Sequence, residues 1–176
     1  MEKALTLLME AADDGADLVV FGETWLSGYP IWLDICPEAA LWDHGPSKAV
    51  YARMYESAIV VPGPETQQLC AFARDHGVAI CIGANEKVLS GPGNGTLYNT
   101  LLLIDQDGQL ANHHRKLMPT YGERLVHGPG DGAGLRAIDT PWGRVGGLIC
   151  WEHWMPLSRQ AMHDSGEHIH LALWPQ

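Results

Sequence analysis

One pattern constrains this chain more than any other: an amphipathic helical stretch, a glycine and a short apolar run recur in that order three times. Residues 2 to 14 set Leu5, Leu8, Met9 and Ala12 on one helical face, Gly15 supplies a helix stop, and Leu18 to Phe21 follow as a continuous apolar run. Leu69, Phe72 and Ala73 of a helix beginning near Pro64 lead through Gly77 into Val78 to Ile82. A helix from about Met155 runs to Gly166 and then into Ile169 to Leu173. Helices that stop on glycine and feed buried strands predict a layered α/β architecture, because each apolar helix face must be covered by a sheet.

The intervening segments follow another grammar. Gly91-Pro92-Gly93-Asn94-Gly95 separates two strand-like runs, Asp107-Gly108 separates Leu101–Ile104 from Gln109–His114, and Thr140-Pro141-Trp142-Gly143 links two more. These are hairpin signals, so crossovers and hairpins share one chain and the sheets are expected to be mixed rather than purely parallel. The expectation is α+β or sandwich-like layering with helices outside. Gly122 to Gly134 has the glycine density of a structured loop and no hydrophobic period. At 176 residues the chain is read as one domain, 1–176.

Composition removes several classes of function. A net charge of -10 has the wrong sign for gripping a phosphate backbone, so no nucleic-acid partner is expected. No apolar run approaches the ~20 residues of a membrane span, and Met1-Glu2-Lys3 opens an amphipathic segment rather than a signal-peptide core. The reading is a cytoplasmic chain with no membrane partner. Cys36, Cys70, Cys81 and Cys150 form no CxxC pair, which indicates neither a thiol-ligated zinc nor a disulfide scaffold.

In layered α/β folds reactive groups gather at the carboxyl ends of strands, where loops can be shaped while the sheet holds them rigid. Glu23 follows Leu18–Phe21, Lys116 follows the run ending at His113-His114, and Cys150 closes Val145–Ile149. A thiol near its ordinary pKa of ~8.5 is only slightly ionised at neutral pH; a carboxylate can take its proton and an ammonium can favour the thiolate. Each residue also has a bland reading. Cysteine at the end of an apolar run is commonly a small buried hydrophobe, and that reading is adopted for Cys70 and Cys81. Glu23 could cap the backbone, and Lys116 could be one solvated charge of His113-His114-Arg115-Lys116. A metallohydrolase could be assembled from His168-x-His170 and His113-His114, but alternation in a half-exposed strand produces that spacing and no HExxH pattern accompanies it. Neither metal nor cofactor is expected.

At these residues the sequence resembles the nitrilase superfamily of carbon–nitrogen hydrolases. The strings that carry the resemblance are Phe21-Gly22-Glu23-Thr24-Trp25 with Gly28-Tyr29-Pro30, His114-Arg115-Lys116-Leu117 with Pro119-Thr120, and Gly147-Leu148-Ile149-Cys150-Trp151-Glu152. Cys150-Trp151-Glu152, Met155-Pro156-Leu157 and Leu173-Trp174-Pro175 bring it nearer the nitrilase branch than the amidases. The resemblance implies Glu23 as general base, Lys116 as cationic stabiliser, Cys150 as nucleophile and Glu123 as a second glutamate positioning Lys116 or water. It also implies the Trp151 backbone N–H as an oxyanion donor, with Tyr29 beside it at the substrate.

The fold implied is a four-layer αββα sandwich that forms homo-oligomers. The family chain begins with a further strand and continues past Gln176, so the resemblance implies a partial domain, incomplete at both ends. Gly22, Gly122, His127 and His153 depart from the family's usual residues and bear on pocket shape rather than reaction class. The implied reaction is hydrolysis of a small-molecule nitrile to acid and ammonia; an amidase, or an inactive partial domain, are the alternatives. Trp25, Tyr29, Trp32 and Trp151 are candidate aromatic walls that core packing would explain equally well.

Overall fold

The computed structural model describes residues 1–175. In chain order the elements are α1 (Glu2–Asp13), β1 (Leu18–Val20), α2 (Trp32–Ile35), α3 (Gly45–Ser57), α4 (Pro64–His76), β2 (Ala79–Lys87), β3 (Leu97–Ile104), β4 (Leu110–Arg115), β5 (Ile138–Thr140), β6 (Gly143–Ile149), α5 (Pro156–Asp164) and β7 (Ile169–Leu173). All three helix–glycine–strand units form where the sequence places them. Gly77 ends α4 in the left-handed conformation, as a helix stop requires.

Two mixed sheets result. The first has order β1-β2-β3-β4, with β1 parallel to β2 and the other pairs antiparallel; the second has order β5-β6-β7, with β5 antiparallel and β7 parallel to β6. The three hairpin signals connect β2 to β3, β3 to β4 and β5 to β6.

Side chains alternate across the first sheet and so divide the core in two. Ile80, Ile82, Leu102 and Ile104 point toward α1 and α4, where they pack with Ala4, Leu8, Leu69 and Phe72. Cys81, Leu101 and Leu103 point the other way and meet Val145, Ile149, Leu171 and Leu173 of the second sheet. Fully burying a Leu or Ile contributes about 1.5–3 kcal/mol, so these two interfaces dominate the fold's stability. On the far side of the second sheet α5 brings its buried Met162 against Gly146, leaving no room for a Cβ there. The layers are therefore α, β, β, α, the mixed sandwich expected from the sequence.

A third cluster lies to one side. Met54 and Ala58 of α3 and its C-cap pack with Leu97 and Val126, joined by Trp32 and Leu33 of α2. Among the described residues no helix is long and apolar enough to cross a membrane.

Candidate active site

Glu23, Lys116 and Cys150 each follow a strand end, and the strands differ. Glu23 lies in the turn after β1. The turn is fixed to β2 by Phe21 N–H donating to the Cys81 carbonyl and Leu26 N–H to that of Gly83, and to the end of β7 by Glu23 N–H donating to the Trp174 carbonyl. Gly83 permits this: a Cβ there would sit 2.3 Å from the Gly22 carbonyl oxygen and 2.6 Å from Thr24 N. Lys116 follows β4, its N–H donating to Asn99 and its carbonyl accepting from Gly130. Cys150 follows β6 but does not close it. It opens a 3-10 turn, Cys150–Trp154, with φ +51°, in the region that L side chains seldom occupy.

Three of these side chains meet directly. Lys116 Nζ donates to Glu23 Oε1 at 2.7 Å and to Glu123 Oε1 and Oε2 at 2.9 Å each, and all three residues are buried. Glu123 comes from a 3-10 turn, Tyr121–Leu125, inside the glycine-rich loop, and its Oε2 also accepts from Thr120 N–H at 3.1 Å. Cys150, 6% exposed, lies close enough for the charges of Glu23, Lys116 and Glu123 and for the Trp151 backbone N–H to act on its thiol. The predicted acid and ammonium thus meet in one buried cluster with Glu123, and the Cys150 thiol lies within range of its charges.

The electrostatics separate the two glutamates. Burial raises Glu23 above the usual carboxylate range, and the attraction of Lys116 does not offset it. Burial opposes ionisation of Glu123 too, but Lys116 with the Thr120 and Tyr29 hydrogen bonds brings it below that range. Burial disfavours the Lys116 ammonium; the two carboxylates more than reverse this and hold it charged. Burial and the Glu23 charge push the Cys150 thiol up to about 11, so the resting sulfur is protonated at neutral pH. Glu23 Oε1 is occupied, whereas its buried Oε2 has no hydrogen-bond partner.

The aromatic candidates disperse. The Tyr29 hydroxyl donates to Glu123 Oε1 at 2.9 Å. Trp25 packs against Phe21 in the helix-side core, and Trp32 joins the third cluster. Trp151 is half-exposed beside Trp154 and lines a shallow groove with Met118 and Tyr121. The histidines of the metal reading have other partners: His113 contacts Glu86, His114 contacts Glu152, and His170 contacts Glu167 and His153. Among the described residues no group of three or more candidate ligands could hold a metal. Cys81 is sealed in the core, where burial raises its thiol strongly.

Asn99 escaped sequence reading. Its Nδ2 donates to Glu23 Oε1 at 2.7 Å across 76 positions of chain. Its one signal is that, with Thr100, it is polar in a strand whose other buried positions are apolar. Asn85 of β2 is a second such case: its Oδ1 accepts from His127 Nε2 at 2.8 Å and its Nδ2 donates to the Gly28 carbonyl at 2.7 Å, bracing the turn that carries Tyr29. Burial lowers His127 to about 4, so it is a neutral wall.

An αββα sandwich of two mixed sheets with a buried carboxylate–ammonium–carboxylate cluster beside its strand ends defines a layered α/β class. The chain belongs to the carbon–nitrogen hydrolase family, whose sequence profile matches residues 1–175. It is 43% identical over 175 residues to a protein called nitrilase 2 from an unknown prokaryotic organism, covering 99% of this chain and 53% of that one. It is 39% identical over 178 residues to the aliphatic nitrilase of Rhodococcus rhodochrous (99% and 45% covered) and 42% over 177 residues to the arylacetone-specific nitrilase of Alcaligenes faecalis (99% and 46%). The chain spans about half the length of these curated relatives. Among solved structures, a carbon–nitrogen hydrolase from Helicobacter pylori superposes with TM-score 0.63 at 22% identity, covering 98% of this chain and 53% of that one. An amidase from Nesterenkonia sp. gives 0.62 at 16% identity, covering 98% and 57%. These two likenesses concern the fold.

Proposed function

We propose that the chain, read as one domain over 1–176, carries the catalytic set of a nitrilase, with Cys150 as nucleophile, Glu23 as general base, Lys116 as cationic stabiliser and Glu123 as the fixed anion that holds Lys116. The observation that carries the reading is Lys116 Nζ shared between Glu23 at 2.7 Å and Glu123 at 2.9 Å, with the Cys150 thiol under the charges of all three. Two carboxylates whose environments drive them apart divide the labour: the raised one takes up a proton more readily and the lowered one is held ionised. The identities of 39–43% to proteins named as nitrilases favour a nitrile over an amide.

In this reading Glu23 Oε2, the oxygen without a partner, takes the thiol proton as sulfur attacks the nitrile carbon. Such base assistance is typically worth about 10²- to 10⁴-fold. The C–S bond forms, one C–N π bond breaks, and the nitrogen receives the proton from Glu23 to give a thioimidate. Water, giving a proton to Glu23, adds to that carbon. Glu23 passes that proton to the nitrogen, the new hydroxyl gives up its own as the C=O bond forms, and the C–N bond breaks to release ammonia and leave a thioester. A second water releases the carboxylic acid and returns the proton to sulfur, so one nitrile and two waters give one acid and one ammonia. Lys116 and the Trp151 N–H stabilise the negative charge that develops in the additions, a contribution of roughly 2.7–4 kcal/mol for one well-placed donor.

The test is ammonia release by the chain from matched panels of nitriles and amides, repeated with Cys150→Ala. Nitrile-dependent ammonia that disappears in the variant supports the reading. Turnover of amides alone moves the activity to amide hydrolysis, no turnover of either identifies an inactive partial domain, and activity surviving the substitution removes Cys150 as nucleophile.

A further inference from the structure

Lys116 and Cys150 follow strands of different sheets. No ladder fixes their separation. The two sheets meet through apolar side chains, which resist compression but carry no directional bond. One polar link joins the backbone directly beside both residues. Glu152, wholly buried, accepts the N–H of Leu117, the residue after Lys116, on Oε1 at 2.8 Å. It accepts the N–H of Ile149, the residue before Cys150, on Oε2 at 2.7 Å. His114 Nε2, two residues before Lys116 on β4, lies 2.9 Å from Oε1 and 3.0 Å from Oε2 and fixes the plane of the carboxyl group.

We propose that Glu152 is a positioning residue that sets the distance and orientation between the Lys116 ammonium and the Cys150 sulfur by holding the backbone beside each. This rests on the nucleophile reading above and adds to it a residue that touches none of the reacting atoms. The chemistry of the link explains why a carboxyl group is needed. Both backbone partners are donors, so both ends of the side chain must accept. A glutamine in place of Glu152 presents one oxygen and one NH2, and whichever way the amide turns, one of the two N–H groups faces a donor. An aspartate keeps both acceptors but is one methylene too short to reach both strand ends without moving one. Misplacement of catalytic groups by ~1 Å can cost as much as a hundredfold in rate.

The test reads the thiol rather than turnover, so that it does not depend on the chain being active. Each cysteine is followed by mass spectrometry during iodoacetamide alkylation between pH 6 and 10, in the unsubstituted chain, E152Q, E152D and Lys116→Met. Exposed Cys36 reports reagent, and core-buried Cys81 reports integrity of the fold. The expected result is that E152Q shifts the pH midpoint of Cys150 alkylation in the same direction as Lys116→Met and changes its rate at pH 7 by roughly tenfold. Cys36 stays unchanged and Cys81 protected, and E152D falls between. A Cys150 profile in E152Q identical to that of the unsubstituted chain, with Cys81 protected, overturns the proposal. So does simultaneous loss of Cys81 protection in both Glu152 variants, which makes the role one of global stability. If E152Q alone unfolds, E152D decides by the same two criteria. If Lys116→Met leaves Cys150 alkylation unchanged, the reading of the site itself fails; if it alters the profile and the Glu152 variants do not, only the positioning role fails.

Discussion

Glu23 and Glu86 are the same side chain at nearly the same depth, 3% and 1% exposed, yet they titrate in opposite directions. Adjacent residues of the first sheet serve them alternately: on β3, Asn99 bonds Glu23 and Thr100 bonds Glu86, and at the end of β4, Arg115 pairs with Glu86 and Lys116 with Glu23. Period-two alternation sends these neighbours to opposite sides of the sheet, so two clusters are built from one stretch of sequence. Burial opposes ionisation of both carboxyls. At Glu86 the His113 ring, the Arg115 guanidinium, which stacks over Tyr98, and the Thr100 hydroxyl satisfy both oxygens and bring it to about 2. At Glu23 the only cation is shared with Glu123, one oxygen is left without a partner, and burial prevails. Incomplete satisfaction, not depth, distinguishes the carboxyl that is raised from the one that is lowered.

The comparison breaks most visibly at Lys116. Lys116→Met removes the one cation between two buried carboxylates, and nitrile turnover is expected to fall by more than a hundredfold. Stability at pH 7 should fall by roughly 3–5 kcal/mol, as for other half-emptied buried pairs. Because the stranded carboxyls can be protonated, urea unfolding should show the loss shrinking toward pH 4. Glu23→Gln should cost about 10²- to 10⁴-fold in turnover without loss of stability. A carboxyl raised in the folded chain favours the protonated form, so its ionisation weakens the fold as pH rises above 4.5, and an uncharged isostere removes that penalty. Unfolding of this variant at pH 7 should match or exceed that of the unsubstituted chain.

Glu86→Gln should do the reverse. The lowered carboxyl contributes stability that is complete above its unfolded value of 4.5 and is lost as pH falls toward about 2. The variant is expected to lose roughly 3 kcal/mol at pH 7, to converge with the unsubstituted chain near pH 2, and to keep the Cys150 alkylation profile. A Glu86→Gln chain with altered Cys150 chemistry would merge the two clusters into one. The smallest effect belongs to Tyr29→Phe, which removes one of several hydrogen bonds to Glu123. About 1 kcal/mol of stability and a few-fold of rate are expected, measured by urea unfolding and ammonia release.

The layered fold was legible wherever a side-chain stripe or a turn residue had to obey local geometry. Leu8 and Leu69 mark helix faces that are buried, Gly77 stands where the chain must turn left-handed, and Asp107-Gly108 makes the turn it announces. Residues 31–57 gave no such signal. α2 buries nothing and α3 buries only Met54, so neither helix carries a stripe for periodicity to reveal. The site was legible as three residues because each follows a strand. Its supporting bonds were not: Asn99 reaches Glu23 over 76 positions and His127 reaches Asn85 over 42, and only the folded topology brings such partners together. Cys150 follows β6, as its place after Val145–Ile149 predicts, but the left-handed turn of its backbone carries no signal in the sequence.

That left-handed cysteine has a consequence for which residue the backbone favours at 150. Its φ of +51° carries a standing penalty of about 1 kcal/mol that glycine would remove. On backbone grounds alone glycine would be the more stable residue at 150, so whatever cysteine contributes at this position must come from its side chain.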